Sequence, residues 1–199
     1  MPAYITLGNF TDQGARAIKD SPDRFEAFKA LAEGAGVTIK SVHWTTGAYD
    51  MVLMMDCSQC PIHPKLQQAF HDTAKNHAAA VRQAGAEPVL FLSWAYQDKP
   101  EMMQQLADEY LKVGRANGMR VVPAGPAFAA STAQRPDINL WAPDKRHPSL
   151  AGTYLGAAVV MASLFKKSPV GNSYTAGLPA DVALHLQTVA WDTVQSSKP

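Results

Sequence analysis

The chain has 199 residues, of which 47% are hydrophobic and 18% charged, enough apolar material for a packed core and too much for wholesale disorder. Eighteen basic against seventeen acidic residues leave a formal charge of +1, and no cluster of Lys and Arg supplies the phosphate neutralisation that nucleic acid demands. At roughly 150 residues per domain, the length fits one large domain or two small ones.

Met1-Pro2-Ala3-Tyr4 has neither a basic nor an apolar export region, so a cytoplasmic protein is expected. Tyr4–Gly8 alternates with the period of a strand, and Gly8-Asn9 supplies a turn. Ala15–Ala35 reads as two helices divided at Ser21-Pro22, with Ser21 as cap and Pro22 at the first helical position. Val37–Thr45 and Tyr49–Asp56 read as strands joined by a Thr46-Gly47-Ala48 turn, an antiparallel hairpin. Beyond Pro64 the texture changes to alternating helices and strands. Helices are predicted over 65–83, from Lys99-Pro100-Glu101 to Gly118, over 149–166 and over 179–195, with strands over 88–94 and 119–123 and a loop over 130–143. Such alternation implies crossover units and a mainly parallel sheet. Leu150–Phe165, the most apolar stretch, is interrupted by Gly152, Thr153, Tyr154, Gly156 and Ser163 and falls short of the roughly 20 residues that span a bilayer. The expected class is an α/β three-layer sandwich whose mainly parallel sheet includes that N-terminal hairpin.

Tyr4-Ile5-Thr6-Leu7-Gly8-Asn9-Phe10-Thr11-Asp12-Gln13-Gly14, Lys19-Asp20-Ser21-Pro22 and Trp44-Thr45-Thr46-Gly47-Ala48-Tyr49-Asp50 make residues 1–56 resemble the GYD family. The resemblance implies a partial ferredoxin-like unit of a kind that often pairs into dimers, so a homodimer is a reasonable expectation. Residues from about 57 to 195 are similar to the C-terminal part of SGNH (GDSL-type) hydrolases. The matching stretches are Pro88-Val89-Leu90-Phe91-Leu92-Ser93-Trp94-Ala95, Asp98-Lys99-Pro100-Glu101-Met102 and Pro143-Asp144-Lys145-Arg146-His147-Pro148-Ser149. The resemblance implies that His147 is the general base and Asp144 its orienting acid, in a hydrolase acting on a small ester. Imidazole titrates near neutrality, and a carboxylate fixes its tautomer.

The nucleophile block of that family, Gly-Asp-Ser or Gly-Asn-Ser after the first strand, is replaced by Gly8-Asn9-Phe10-Thr11. Thr11 is a weak substitute. Gly171-Asn172-Ser173 spells the block again, but it follows His147, and Lys166-Lys167-Ser168-Pro169 stands where a buried strand should precede it. Its Gly, Asn and Ser are ordinary turn chemistry. The Gly-x-Asn-Asp block of the oxyanion hole is also absent, so turnover is expected to be very low. Since neither part carries a full core of its own, residues 1–56 and 57–199 are expected to merge into one domain.

Cys57-Ser58-Gln59-Cys60, between a strand and a helix, has redox-pair spacing. Pro61 and Pro64 delay the helix, which favours two reduced thiols at a strand end. Cys57, Cys60, His63 and His71 are chemically suitable for zinc. However, His63 follows Cys60 by only three residues, and His71 and His77 fall on different helix faces. No metal or cofactor is therefore expected. Trp94, Tyr96, Trp141, Tyr154 and Trp191 are read as core packing. Three functions remain: a weakly active or inactive ester hydrolase relative, a non-catalytic GYD-type binding or dimerising protein, and a thiol redox protein.

Overall fold

The computed structural model describes residues 4–8 and 50–197. Four strands, β1 (Tyr4–Gly8), β2 (Met51–Met55), β3 (Glu87–Phe91) and β4 (Arg120–Val122), form one sheet in the order β1-β2-β3-β4. All three pairings are parallel, with Tyr4 opposite Met51, Met51 opposite Glu87 and Val89 opposite Arg120. Five helices follow in the described chain: α1 (Gln67–Gln83), α2 (Met102–Ala116), α3 (Ala124–Gln134), α4 (Leu150–Phe165) and α5 (Ala180–Ser196).

Alternation along the strands explains the layering. Val52, Met54 and Leu90 pack with Phe70 and Ala74 of α1 and with Leu106 and Tyr110 of α2. Their neighbours Met51, Leu53, Val89 and Phe91 join Phe128 of α3, Leu155 and Val159 of α4 and Leu186 of α5 on the other side. Successive side chains of a strand point to opposite faces, so strands this apolar must be covered twice. The result is the three-layer α/β arrangement that the sequence implies. No described helix is long and apolar enough to cross a membrane.

The expected antiparallel hairpin is not found. Residues 37–45 lie outside the described residues, and parallel neighbours occupy both edges of β2. The backbone groups that a hairpin partner of Met51–Met55 would need are already in use. The two helices expected over 15–35 also lie outside the described residues.

A second correction concerns 130–143, expected as loop throughout: α3 begins at Ala124 and continues to Gln134. Pro126 falls in the first turn of this helix, where proline is tolerated because its missing N–H has no intrahelical partner. Strand β3 is shorter than expected. It leaves the ladder after Phe91, and the chain stays beside β4 through Leu92 N–H donating to Val122 O at 3.0 Å.

Candidate functional site

The four strands run in one direction, so Gly8, Met55, Phe91 and Val122 mark a common carboxyl edge. Ligands of open α/β sheets bind beyond such edges. Two sequence-predicted groups follow from it or are tied to it: Cys57–Cys60 after β2, and the Asp144–His147 loop, which is fastened to the chain leaving β3.

That loop is closed by its own backbone. Ala142 N–H donates to His147 O at 2.8 Å, Lys145 N–H to Ala142 O at 2.9 Å, and Ser149 N–H to Leu140 O at 2.9 Å. Ser149 then caps α4, its Oγ accepting from Gly152 N–H at 3.2 Å. The segment leaving β3 holds the loop from outside. Trp94 Nε1–H donates to Arg146 O at 2.9 Å, Gln97 N–H donates to Lys145 O at 2.9 Å, and the Arg146 guanidinium lies 4.3 Å from the Tyr96 ring centroid. Beneath it, Phe128 is stacked on Trp94 at 4.5 Å and meets Trp141 edge-on at 5.7 Å, while Trp141 Nε1–H donates to Ala95 O at 3.1 Å. Trp94 and Trp141 thus hold the loop as well as fill the core.

Within the loop, Asp144 Oδ1 accepts the backbone N–H groups of Arg146 and His147, both at 3.0 Å, and Asp144 Oδ2 is hydrogen-bonded to His147 Nδ1. The His147 bond, followed by the two N–H donors, holds the Asp144 carboxyl far below the usual carboxylate range. An ionised carboxylate only accepts, so His147 Nδ1 carries the proton in this bond, and Nε2 is the ring nitrogen that Asp144 leaves unengaged. A carboxylate that orients an exposed imidazole is an arrangement suited to general-base chemistry. The His147 side chain is 80% exposed, and among the described residues no serine hydroxyl is hydrogen-bonded to it.

Of the two candidate nucleophiles, Ser173 is within the described residues. Thr11 lies outside the described residues. Ser173 sits exposed in the loop before α5. Asn172 Oδ1 accepts from Tyr174 N–H at 3.0 Å, and Gln187 of α5 binds Gly171 N–H at 2.9 Å and Asn172 O at 2.9 Å. Gln187 also donates to Tyr154 Oη at 2.7 Å, which in turn donates to Tyr174 O at 2.7 Å.

Cys57 and Cys60 are joined in a disulfide, with Cα atoms 5.3 Å apart. This corrects the expectation of two reduced thiols. A Cys-x-x-Cys turn brings the two side chains together whatever delays the helix behind it, and here Cys60–Ile62 forms a short 3-10 turn before α1. The histidines imagined beside them go elsewhere: His63 Nδ1 accepts from Lys65 N–H at 3.2 Å, and His71 Nε2 is 2.6 Å from Glu109 Oε2 on α2. Asp56 is the additional ligand-type group within 4.8 Å of both sulfurs, which the disulfide already uses.

Sequence spacing gave no sign of a second serine–histidine pair. Ser131 of α3, fully buried, places Oγ 3.2 Å from His185 Nε2 on α5. Burial, then the charge of Arg135, lowers the His185 pKa against the opposing pull of Asp137. Arg135 itself binds Asp137 at 2.7 Å and lies 3.6 Å from Asp181.

The sequence model of the GYD domain matches residues 4–61. The N-terminal segment is GYD-like. No curated protein matches the chain. Among solved structures, a DUF4886 family protein from Bacteroides uniformis superposes with a TM-score of 0.58 at 17% identity, over 74% of this chain and 62% of that one. A protein of Slackia heliotrinireducens described as a candidate SGNH hydrolase gives a TM-score of 0.49 at 24% identity, over 56% of this chain and 64% of that one. This chain therefore spans less than two thirds of either neighbour's length. The Bacteroides likeness extends well beyond the GYD-like segment and is one of fold.

Proposed function

We propose that the chain is a relative of the SGNH ester hydrolases that retains the acid–base pair and has lost most or all turnover. The observation that carries this reading is the Asp144–His147 pair, with an ionised acid, a fixed tautomer and a free Nε2. In a complete enzyme of this kind, a hydroxyl oxygen adds to the ester carbonyl while its proton passes to Nε2. That proton then returns to the departing alkoxide as the C–O bond breaks. Loss of one triad member costs several orders of magnitude in rate.

The test is hydrolysis of p-nitrophenyl acetate by the whole chain. The expected rate is no greater than that of an equal concentration of free imidazole. A burst or steady turnover that disappears in His147→Ala and on labelling with a phosphonate ester would overturn the attenuated reading, and the labelled peptide would name the nucleophile.

The Cys57–Cys60 disulfide favours a second reading, thiol–disulfide exchange. A partner thiolate attacks one sulfur, the other leaves as thiolate, and a second partner thiol resolves the mixed disulfide, so the partner dithiol is oxidised as Cys57 and Cys60 are reduced. A midpoint of roughly −180 to −300 mV in glutathione buffers supports this reading. A pair that stays wholly oxidised or wholly reduced across that range counts against it. Homodimerisation through the GYD-like segment is a further proposal, read by sedimentation equilibrium.

A further inference from the structure

Asp56, Cys57 and Cys60 stand at the carboxyl edge of the sheet, where β2 gives way to the short turn before α1. A carboxylate oxygen of Asp56 and the two sulfurs lie within 4.8 Å of one another. Among the described residues, no other three His, Cys, Asp or Glu side chains come together in this way. In the oxidised chain the sulfurs are bonded to each other. Reduction frees two thiols on a Cys-x-x-Cys turn, a spacing with which protein thiolates chelate zinc. The fold sends His63 and His71 elsewhere, and Asp56 takes their place beside the sulfurs.

The turn is held by contacts that do not depend on the S–S bond. Cys60 N–H donates to Cys57 O at 3.2 Å, Ile62 N–H to Gln59 O at 3.1 Å and His63 N–H to Cys60 O at 3.3 Å. Asp56 N–H donates to Oη of the fully buried Tyr110 at 3.4 Å, and Asp56 Oδ1 accepts from Cys57 N–H at 2.7 Å. A second observation concerns the sulfur itself. Cys60 N–H also points at Cys57 Sγ, 3.0 Å away. Neutral sulfur is a weak acceptor, whereas hydrogen bonds to an ionised acceptor are roughly twice as strong. That donor therefore serves the thiolate, the form of cysteine that binds a metal.

We propose that the reduced chain binds one zinc ion through the Cys57 and Cys60 thiolates and the Asp56 carboxylate, with water in the fourth position, and that disulfide formation releases the ion. A zinc–sulfur bond of roughly 2.3 Å sets two thiolates of a tetrahedral ion about 3.8 Å apart, which cysteines with Cα atoms 5.3 Å apart can span. The donor set selects the metal. Magnesium and calcium take oxygen ligands, copper(I) selects sulfur, and zinc accepts thiolate and carboxylate together. On loading, zinc displaces two protons from the two thiols. On release, a small disulfide takes two electrons from the thiolates and two protons from water, and becomes two thiols as the Cys57–Cys60 bond forms. The proposal shares its sulfurs with the exchange reading but needs only that they be reducible.

The test reduces the whole chain with a phosphine in the absence of oxygen and titrates it with cobalt(II), whose thiolate charge-transfer absorption reports sulfur ligation. Zinc then displaces the cobalt in competition with a chromophoric chelator. One equivalent should bind. Cys57→Ser and Cys60→Ser should each weaken zinc by roughly a hundredfold or more, and Asp56→Asn by about tenfold. Asp56→Asn keeps an oxygen for the Cys57 N–H, so its loss of affinity reports a lost ligand rather than a lost turn. Glutathione disulfide added to the loaded chain should release zinc in step with disulfide formation. No thiolate charge transfer from the fully reduced chain, parental affinity in Asp56→Asn, or zinc retained after oxidation overturns the proposal. The midpoint in metal-free glutathione buffers judges the exchange reading separately, because phosphine reduction frees the thiols whatever that midpoint is.

Discussion

Among the described residues, two places bring a histidine to residue types that a hydrolytic triad uses, and they fall short in opposite ways. On the loop, Asp144 fixes His147 with Nε2 open to solvent, but no described hydroxyl meets it. Between α3 and α5, Ser131 does meet His185, but the serine is fully buried in a helix, and Asp137, which could serve as the acid, is bound to Arg135. Among the described residues, the first has access without a hydroxyl partner, and the second a hydroxyl without access. Proximity of residue types is therefore a poor guide to chemistry. What separates a catalytic pair from a packing contact is exposure to substrate and an acid that serves the histidine alone.

The largest expected effect comes from unseating the loop. A Cβ on Gly152 would lie 2.2 Å from Leu140 O and 3.0 Å from Phe128 Cζ. Backbone cannot yield as a flexible side chain can, so Gly152→Ala should destabilise the fold by about 3 kcal/mol in urea titration. A cost below about 1 kcal/mol would show that the loop is not seated on α4. Next comes the helical pair. Ser131→Ala removes the hydroxyl at His185, and a loss of about 1 kcal/mol is expected, with no change in esterase background. If Ser131→Ala instead abolished a phosphonate-sensitive activity, the buried pair would be the catalytic one.

The pH dependence of the helical pair sharpens the contrast further. The folded His185 pKa lies below its ordinary value of 6.5, so the unfolded chain binds the proton more readily. The contribution to stability is present in full above that ordinary value. It declines as the pH falls through it toward the depressed one. Denaturation midpoints measured from pH 7.5 to pH 5 should fall, and His185→Gln should flatten that part of the slope.

Much of this architecture is legible in the sequence, because burial on two faces leaves a direct mark. Pro88-Val89-Leu90-Phe91 is a continuous apolar run, and its alternate residues do pack to opposite layers. The Asp144–His147 relation is equally legible, since residues three apart on a tight loop need no tertiary information to meet. Helix α3 is not legible in this way. It is buried on more than one side, so Ala124–Gln134 shows no polar stripe, and its proline and glycine imitate a loop. The Ser131–His185 pair is harder still. Its residues are 54 positions apart in sequence, and no local pattern marks which side chains tertiary packing will bring together.

A smaller effect is expected at Asp144, whose carboxyl is held low chiefly by His147 and then by the two backbone donors. Its contribution is present above the ordinary carboxylate value of 3.8 and is lost as the pH falls through the depressed folded value. Carbon-detected NMR of the side-chain carboxyl should show it ionised below pH 3. In His147→Gln the titration should move back toward the ordinary range without reaching it, because the backbone N–H donors of residues 146 and 147 remain. A carboxyl that titrates normally in the parent chain would dissolve the loop pair and leave only the buried one.

The smallest change expected is at Lys145, which adopts a left-handed backbone with φ of 61° between the acid and the base. That conformation is disfavoured by about 1 kcal/mol for a residue with a Cβ. Here it is imposed from both sides, by Lys145 N–H donating to Ala142 O and by Lys145 O accepting from Gln97 N–H. Glycine would relieve the strain but gain freedom in the unfolded chain, and the two effects oppose each other. Lys145→Gly should therefore change stability by no more than about 0.5 kcal/mol and leave the Asp144 titration in place. A large loss would mean that the lysine side chain, rather than the turn, orders this loop. Its access would then depend on a contact absent from the helical pair.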